Sequence, residues 1–262
     1  MDLGLSDRAC IVTGGSRGIG LQAAKLLSAE GAKLLLVGRS EPALRAAAAQ
    51  CSGAAHWLAL DVTTPEAGTR AVQACLERFG RLDALVNNAS TSTVRALEEL
   101  TDDDWQAPWE INVIAPMRLM RAAVPVMVQG GWGRIVNVCS SSGKRPGQRN
   151  VAYSVSKAAE LSLSRAFADA YAQHGVLVNA VTPGPVASEL WLEPGGLVDQ
   201  TVQARGGTRE QVLEAAAAAL PIRRLAGAHE IAAVIVFLCS EQASNVAGVA
   251  WSVDGGAVPV II

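Results

Sequence analysis

Residues 9–27 read ACIVTGGSRGIGLQAAKLL. The run Ala9–Thr13, small, apolar and β-branched, predicts a buried strand, and LQAAKLL after Gly20 predicts a helix. Between them stands TGGSRGIG, with glycines at 14, 18 and 20. Glycines at a strand-to-helix turn permit a tight reversal, close approach of backbone to a pyrophosphate, and packing of helix on strand. The helix N-terminus adds free amides and the positive end of a dipole, which suit phosphate. Such a turn alone could be an ordinary flexible one; its place between strand and helix favours a dinucleotide.

Outward from this turn the chain repeats the same alternation. Strands are expected at Ala9–Thr13, Lys33–Val37, Trp57–Leu60, Ala84–Asn87, Arg134–Val138, Leu177–Val181 and Val249–Val253. Helices are expected at Gly18–Ala29, Glu41–Gln50, Pro65–Phe79, Asp103–Val128, Ala152–His174 and His229–Leu238. Near-continuous apolar runs such as RIVNV suit strands covered on both faces, as in a parallel sheet. Strand–helix–strand repetition implies right-handed crossovers and an α/β doubly wound sheet of the Rossmann type, with three layers, α/β/α. The one irregular stretch is Pro183–Leu220, rich in Pro and Gly at first and helical later. A single domain over 1–262 is expected, with a substrate lid at about 185–220, because structureless segments of that length inside a domain are usually functional.

Composition narrows the function. Half of the 262 residues are hydrophobic and 18% are charged, which suits a filled core. A net charge of −2 without a basic stripe argues against nucleic acid or an anionic membrane as partner. No uninterrupted apolar run approaches the ~18 residues of a membrane span. Five cysteines, odd in number and never in a CxxC pair, read as reduced thiols of a cytoplasmic protein. The opening MDLGLSDRACIVTGG lacks the basic-then-apolar order of a signal peptide. His56, His174 and His229 lie far apart, and no metal site is expected.

The second expected strand ends in Val37-Gly38-Arg39. An acid here would bind the ribose 2′-hydroxyl of NAD, whereas an arginine accommodates the 2′-phosphate of NADP. The acid's place is taken by Gly38 with Arg39 beside it, and Arg17 stands in the glycine-rich turn. Two guanidinium groups can grip one phosphate, so NADP(H) is favoured over NAD(H), although both could be solvated surface arginines. Asp61 in LALDV could meet the adenine edge or cap the following turn.

The chain has two tyrosines and four lysines, yet Tyr153 and Lys157 form YSVSK at the head of an expected helix. Residues i and i+4 share a helical face. A free phenol titrates near ~10, and lowering it by about three units takes roughly 4 kcal/mol. One ammonium about 4 Å away, at an effective dielectric near 20, supplies about that much. Ser140, at the end of RIVNV, could hold a carbonyl oxygen while Tyr153 delivers the proton, though spacing alone leaves it ambiguous with Ser141 and Ser142.

With TGGSRGIG, NNA (87–89), INVIAP, VNVCSSSG, YSVSK, NAVTPGPVAS (179–188) and AGVAWSVDGG (247–256) in order, the chain resembles the short-chain dehydrogenase/reductase family along essentially its whole length. Its tail and PIRRLAGAHEIAAVIVFL look most like ketoacyl-carrier-protein reductases. The resemblance implies a seven-stranded parallel sheet, a homotetramer or homodimer, and a catalytic set of Asn112, Ser140, Tyr153 and Lys157. In that set Ser140 polarises the substrate oxygen and Tyr153 is the acid in reduction and the base in oxidation. Lys157 lowers the tyrosine's pKa and holds the nicotinamide ribose, and Asn112 keeps a water in the proton relay. It further implies a cofactor groove of Gly14, Ser16, Arg17, Gly18, Ile19, Gly20, Arg39, Asp61, Val62, Asn88 and Ala89, shaped also by Thr13. Tyr153, Lys157, Pro183, Gly184, Val186 and Ser188 complete it. Two departures stand out: Ser90 where the family usually has glycine, and Ser188 where a threonine is common. Leu190, Trp191, Leu192 and Leu197 make the lid apolar, for a hydrophobic substrate body or for a neighbouring subunit.

The expected activity is NADPH-dependent reduction of a ketone or 3-oxoacyl carbonyl to a secondary alcohol. Its alternatives are an NADP-dependent alcohol or sugar dehydrogenase working in the oxidative direction and, more remotely, a non-catalytic NADP-sensing regulator.

Overall fold

The computed structural model describes residues 1–259; the last three positions of the expected domain lie outside the described residues. Seven strands form one sheet: β1 (Ala9–Thr13), β2 (Lys33–Gly38), β3 (Ala55–Ala59), β4 (Ala84–Asn87), β5 (Gly133–Val138), β6 (Val176–Pro183) and β9 (Ala250–Val253). Their order is β3-β2-β1-β4-β5-β6-β9, and every neighbouring pair is parallel. The expected seven-stranded parallel sheet is therefore present.

Side-chain alternation feeds two cores. Cys10, Val12, Leu34, Leu36, Val86 and Val136 project into a core shared with α1 (Gly18–Ala29), α2 (Glu41–Ala48) and α10 (Ala228–Leu238). Ala9, Ile11, Leu35, Val37, Leu85 and Ile135 project into the opposite core, under α3 (Ala67–Phe79), α5 (Ala115–Gln129) and α6 (Val151–Tyr171). A strand clad on both faces must be apolar throughout, which is why the chain reads as unbroken apolar runs.

The structure corrects several boundaries. The third helix starts at Ala67, because Thr63–Glu66 form a turn over Asp61; Pro65 lies in that turn. The helix expected over Asp103–Val128 is three pieces: α4 (Asp102–Trp109), a π-helical segment Glu110–Ile114, and α5. A proline explains the break. Pro116 has no N–H for the Asn112 carbonyl four residues back, and the chain widens so that Ala115 donates to Glu110, five residues back. The span 102–129 is long and apolar enough to cross a membrane by composition, but half of its most apolar window is buried in the domain.

The stretch expected to be a substrate lid holds α7 (Glu189–Leu192), α8 (Leu197–Arg205) and α9 (Arg209–Ala218). A small parallel pair, β7 (Val186–Ala187) with β8 (Ala226–Gly227), pins its two ends together. This pair is too short to leave a periodic signal in the sequence.

Candidate active site

All sheet strands point the same way, so their carboxyl ends share one edge, and order reverses between β1 and β4. A crevice opens at such a reversal. Here it is a cavity of about 960 Å³. Gly14, Ser16, Arg17, Gly18 and Ile19 line it from the first turn, and Arg39, Asp61, Val62, Asn88 and Ala89 from the ends of β2, β3 and β4. Ser140 and Tyr153 form its floor, and Pro183, Gly184, Val186 and Ser188 close the far end. Gly20, Asn112 and Lys157 stand behind this wall.

The glycine-rich turn is built for close backbone approach. Gly14 lies at φ 62°, a left-handed conformation, and a Cβ there would sit 2.8 Å from the Asn88 amide. A Cβ on Gly20 would lie 2.4 Å from the Gly14 carbonyl. Thr13 locks the turn to β4: its hydroxyl accepts from the Asn88 and Ala89 amides at 2.9 and 3.1 Å, and Asn88 Nδ2 returns bonds to the Thr13 and Gly14 carbonyls. No side chain caps the start of α1, and its first turn holds no acid. These features fit a dinucleotide pyrophosphate, since the first amides of α1 have no side-chain cap and its first turn carries no acid; the nearby carboxylate is Glu189, whose Oε2 would lie 3.3 Å from a Cβ on Gly18.

Arg39 lines the cleft beside Asp61 and helps hold that carboxylate below its ordinary range, after the larger influence of the Thr63 amide and hydroxyl. Asp61 does cap the turn, accepting from Thr63 N at 2.9 Å and Thr63 Oγ1 at 2.8 Å. Arg17 is already engaged: its guanidinium meets Glu193 of the lid at 2.5 Å. The two arginines are thus unequal, with one tied to a lid acid.

At the other end, Ser140 Oγ accepts from Ser142 N at 3.1 Å, which turns its proton outward as a donor. Lys157 Nζ lies 5.8 Å from the Tyr153 ring centroid, on the same side of α6. Two of the three ammonium donors are taken, by Val138 O at 2.9 Å and by Glu160 Oε2 at 2.7 Å. Burial pushes the Tyr153 phenol up; Lys157 and the Ser140 hydroxyl pull it down, and the balance stays above the ordinary tyrosine value. The expected depression by Lys157 is therefore real in sign but outweighed, because burial and the nearby Glu160 act the other way. Burial also pushes the Lys157 ammonium down, yet Glu160 and Tyr153 reverse this and hold it charged.

Asn112 is fully buried in the π-helical segment and held from both sides. Ser90 Oγ donates to its Oδ1 at 2.7 Å, and its Nδ2 donates to Ser156 Oγ at 3.0 Å. Ser156 in turn donates to the Tyr153 carbonyl at 2.7 Å. The serine that departs from the family's glycine is thus a clamp on Asn112. Three residues that bond to expected site residues escaped the sequence reading: Glu160, Ser156 and Glu193. Only Glu160 carried a signal, an acid three residues past the lysine on the same helical face. Of the four apolar lid residues, Leu190, Trp191 and Leu197 line the cleft. Among the described residues, no cluster of three or more metal-ligating side chains forms.

Known proteins resemble this chain in sequence and fold. The profile described as "short chain dehydrogenase" matches residues 8–193. The chain is 35% identical to the short-chain reductase protein NovJ of Streptomyces niveus, over 95% of this chain and 94% of that protein. It is 33% identical to a sorbitol dehydrogenase of Cereibacter sphaeroides, over 96% and 98%. The crystal structure of L-sorbose reductase from Gluconobacter frateurii, complexed with NADPH and L-sorbose, superposes with a TM-score of 0.92 at 34% identity, covering 100% of both chains. A parallel seven-stranded sheet, a glycine turn built for a dinucleotide and a profile match over most of the length agree with one another: this chain belongs to the short-chain dehydrogenase/reductase family, and is an NAD(P)-dependent oxidoreductase.

Proposed function

We propose that the chain reduces a ketone to a secondary alcohol with NADPH, with Tyr153 as the group that gives the proton. The observation that carries this reading is the placement of Ser140 and Tyr153 together on the cleft floor, with the charged Lys157 directly beneath the tyrosine. The nicotinamide supplies the hydride. Ser140 donates a hydrogen bond to the carbonyl oxygen, stabilising the negative charge that develops there. Tyr153 Oη delivers its proton to the same oxygen. The Lys157 ammonium stabilises the phenolate left behind, and Asn112, gripped by Ser90 and Ser156, keeps its carbonyl free for water because Pro116 offers no N–H. Run backwards, the same groups oxidise an alcohol.

Arg39, with Gly38 where an acid would select NAD, supports NADP(H). The cleft wall around Ser140 carries Ser90, Ser92, Ser141, Ser142 and Asn150, a row of hydroxyl and amide groups suited to a polyhydroxylated substrate. That row, with the sorbitol dehydrogenase and L-sorbose reductase relatives, favours a ketose–polyol pair over a 3-oxoacyl thioester; Leu190, Trp191 and Leu197 cover the opposite, apolar side. The direction of turnover follows the cell's NADPH supply in this reading. Five free cysteines, four of them buried, support a reducing, cytoplasmic compartment. Exposed Trp105, Trp109 and Val155, on the packed helices α4 and α6, support a homotetramer or homodimer.

Replacing Tyr153 with Phe tests the core of this. Turnover should fall by at least about a thousandfold, roughly 4 kcal/mol of transition-state stabilisation, while NADPH affinity by fluorescence titration changes less than several-fold. Turnover within tenfold of the parent on a panel of ketoses and ketones would sink the assignment.

A further inference from the structure

Three residues past Lys157, and seven past Tyr153, α6 carries Glu160 on the same face. Its side chain is 1% exposed, as is that of Lys157, and the two meet at 2.7 Å. A carboxylate buried to that depth is strongly penalised, whereas an aliphatic side chain would fill the same space without penalty. Its partners explain it. Lys157 donates to Glu160 and to the Val138 carbonyl at the end of β5, so the ammonium is stretched between helix and sheet. The Tyr153 ring centroid lies 5.8 Å from that ammonium.

The electrostatic surroundings are sparse. From β5 the buried Cys139 thiol faces the pair, and burial holds it protonated, well above the ordinary thiol value. The β6 span Val176–Pro183 contains no ionisable side chain. Of the charged groups on the α4–α5 side, Asp102, Asp103 and Arg121 are exposed, Asp104 pairs with Arg95, and Arg118 pairs with Glu110. Asn112 is uncharged. Lys157, Glu160, Tyr153 and the protonated Cys139 thiol therefore form a closed set of titratable groups, in which the phenol senses an ammonium paired with Glu160, a carboxyl that burial pushes up against the pull of Lys157 and Cys139.

We propose that Glu160 is a positioning residue for Tyr153: it anchors the Lys157 ammonium against the end of β5 and supplies the counter-charge that sets the pH at which the phenol exchanges its proton. In the reductive direction this matters, because the tyrosine must arrive protonated. A lone ammonium favours phenolate; a neutralised one keeps the proton on Tyr153 until the substrate oxygen takes it. The inference rests on the proposed role of Tyr153 and adds what tunes it.

A direct test uses the small number of tyrosines. The chain holds two, Tyr153 and Tyr171, so in a Tyr171→Phe background the ultraviolet absorption of tyrosinate reports Tyr153 alone. Adding Glu160→Gln removes the charge that pairs with the ammonium beside the phenol, which at an effective dielectric near 20 shifts its midpoint on the order of one pH unit. The expected result is a midpoint lower by about that amount, with Glu160→Asp returning most of the way to the parent value. The acid limb of kcat for alcohol oxidation should move down in parallel, with KM changed less than about twofold. Should the glutamine variant not accumulate, Glu160→Met, of similar volume, is expected to give the same downward shift. A midpoint that is unmoved or moves upward overturns the proposal. The titration needs no turnover, so it reads Glu160 even if Tyr153→Phe shows the tyrosine dispensable.

Discussion

A single hydroxyl decides how firmly Asn112 is held. Glycine at position 90 would leave Asn112 Oδ1 without its 2.7 Å donor, with only Ser156 fixing the amide. A neutral hydrogen bond of this kind contributes about 1 kcal/mol. Ser90→Gly should accordingly lower kcat about threefold to tenfold, with NADPH affinity within about twofold of the parent. Steady-state kinetics check this, and an unchanged kcat would reduce Ser90 to a wall residue. The arginines differ in the same local way. Arg17 must leave Glu193 before it can meet a phosphate, whereas Arg39 lies in the cleft wall next to Asp61. Arg39→Asp should cut the NADPH-over-NADH ratio of kcat/KM about a hundredfold, close to 3 kcal/mol of charge-assisted bonding. Arg17→Ala should cut it by less; equal effects would show the phosphate shared evenly. Position 39 was readable from the chain because strand 2 announces where the ribose falls. The grip of Glu193 on Arg17 was not, since it joins residues far apart through a lid whose path no local pattern specifies.

Elements are fastened at the end of the sheet opposite the cleft by one carboxylate. Asp83 Oδ2 accepts from Ala9 N at 2.8 Å and Arg81 Nε at 2.7 Å, while Oδ1 accepts from Arg81 Nη2 and from Arg8 Nη1. It thereby ties the start of β1 to the start of β4, the two strands that frame the crevice. Burial works against this carboxylate, but the Arg81 bonds, the Ala9 amide and Arg8 outweigh it and hold its pKa below the ordinary value. A depressed carboxylate stabilises the fold above its unfolded pKa, and that contribution fades as pH falls through the lower folded value. Asp83→Asn should cost about 2–3 kcal/mol near pH 7, a drop in Tm of roughly 5–10 °C. Thermal melts from pH 7 to pH 2 check both signs: the gap between parent and variant should hold down to about pH 4 and narrow below it. The element scale also shows where local reading stops. The helix from 103 to 128 reads as continuous because its apolar period survives the break; Pro116 marks the widening, but a proline also suits the first turn of a helix, as it does here for α5. The π-helical turn, and with it the setting of Asn112, depends on which carbonyl the proline leaves unpaired.

At the scale of the whole molecule, strand order and both cores follow from the alternation of apolar runs with amphipathic helices, since a strand sealed on two faces has few other ways to fold. The floor of the cleft was legible for the same reason: YSVSK fixes two side chains one turn apart, and a parallel sheet delivers Ser140 to the edge they face. What alternation cannot encode is a charge that satisfies another charge in the interior. Glu160 offers only its spacing from Lys157 as a signal, because an acid among helix formers otherwise reads as solvated surface until the sheet is laid over it. Assembly is the remaining property that one chain's interior does not specify. Trp105 and Trp109 of α4 are 37% and 39% exposed, and Val155 of α6 is 42% exposed, between Tyr153 and Lys157 in sequence but on the opposite side of the helix from their partners. Helices that pack on one another and turn large apolar side chains outward form a surface suited to a second copy. The proposed oligomer would be weakened by Val155→Glu, since an unpaired carboxylate buried in the interface costs several kcal/mol. Sedimentation velocity at micromolar protein should show the parent as a dimer or tetramer and the variant shifted to smaller species. Because α6 also carries Tyr153 and Lys157, kcat should fall with dissociation and recover at higher protein concentration. A parent chain that sediments as a monomer, or a variant that sediments with the parent, would leave that face to some other partner.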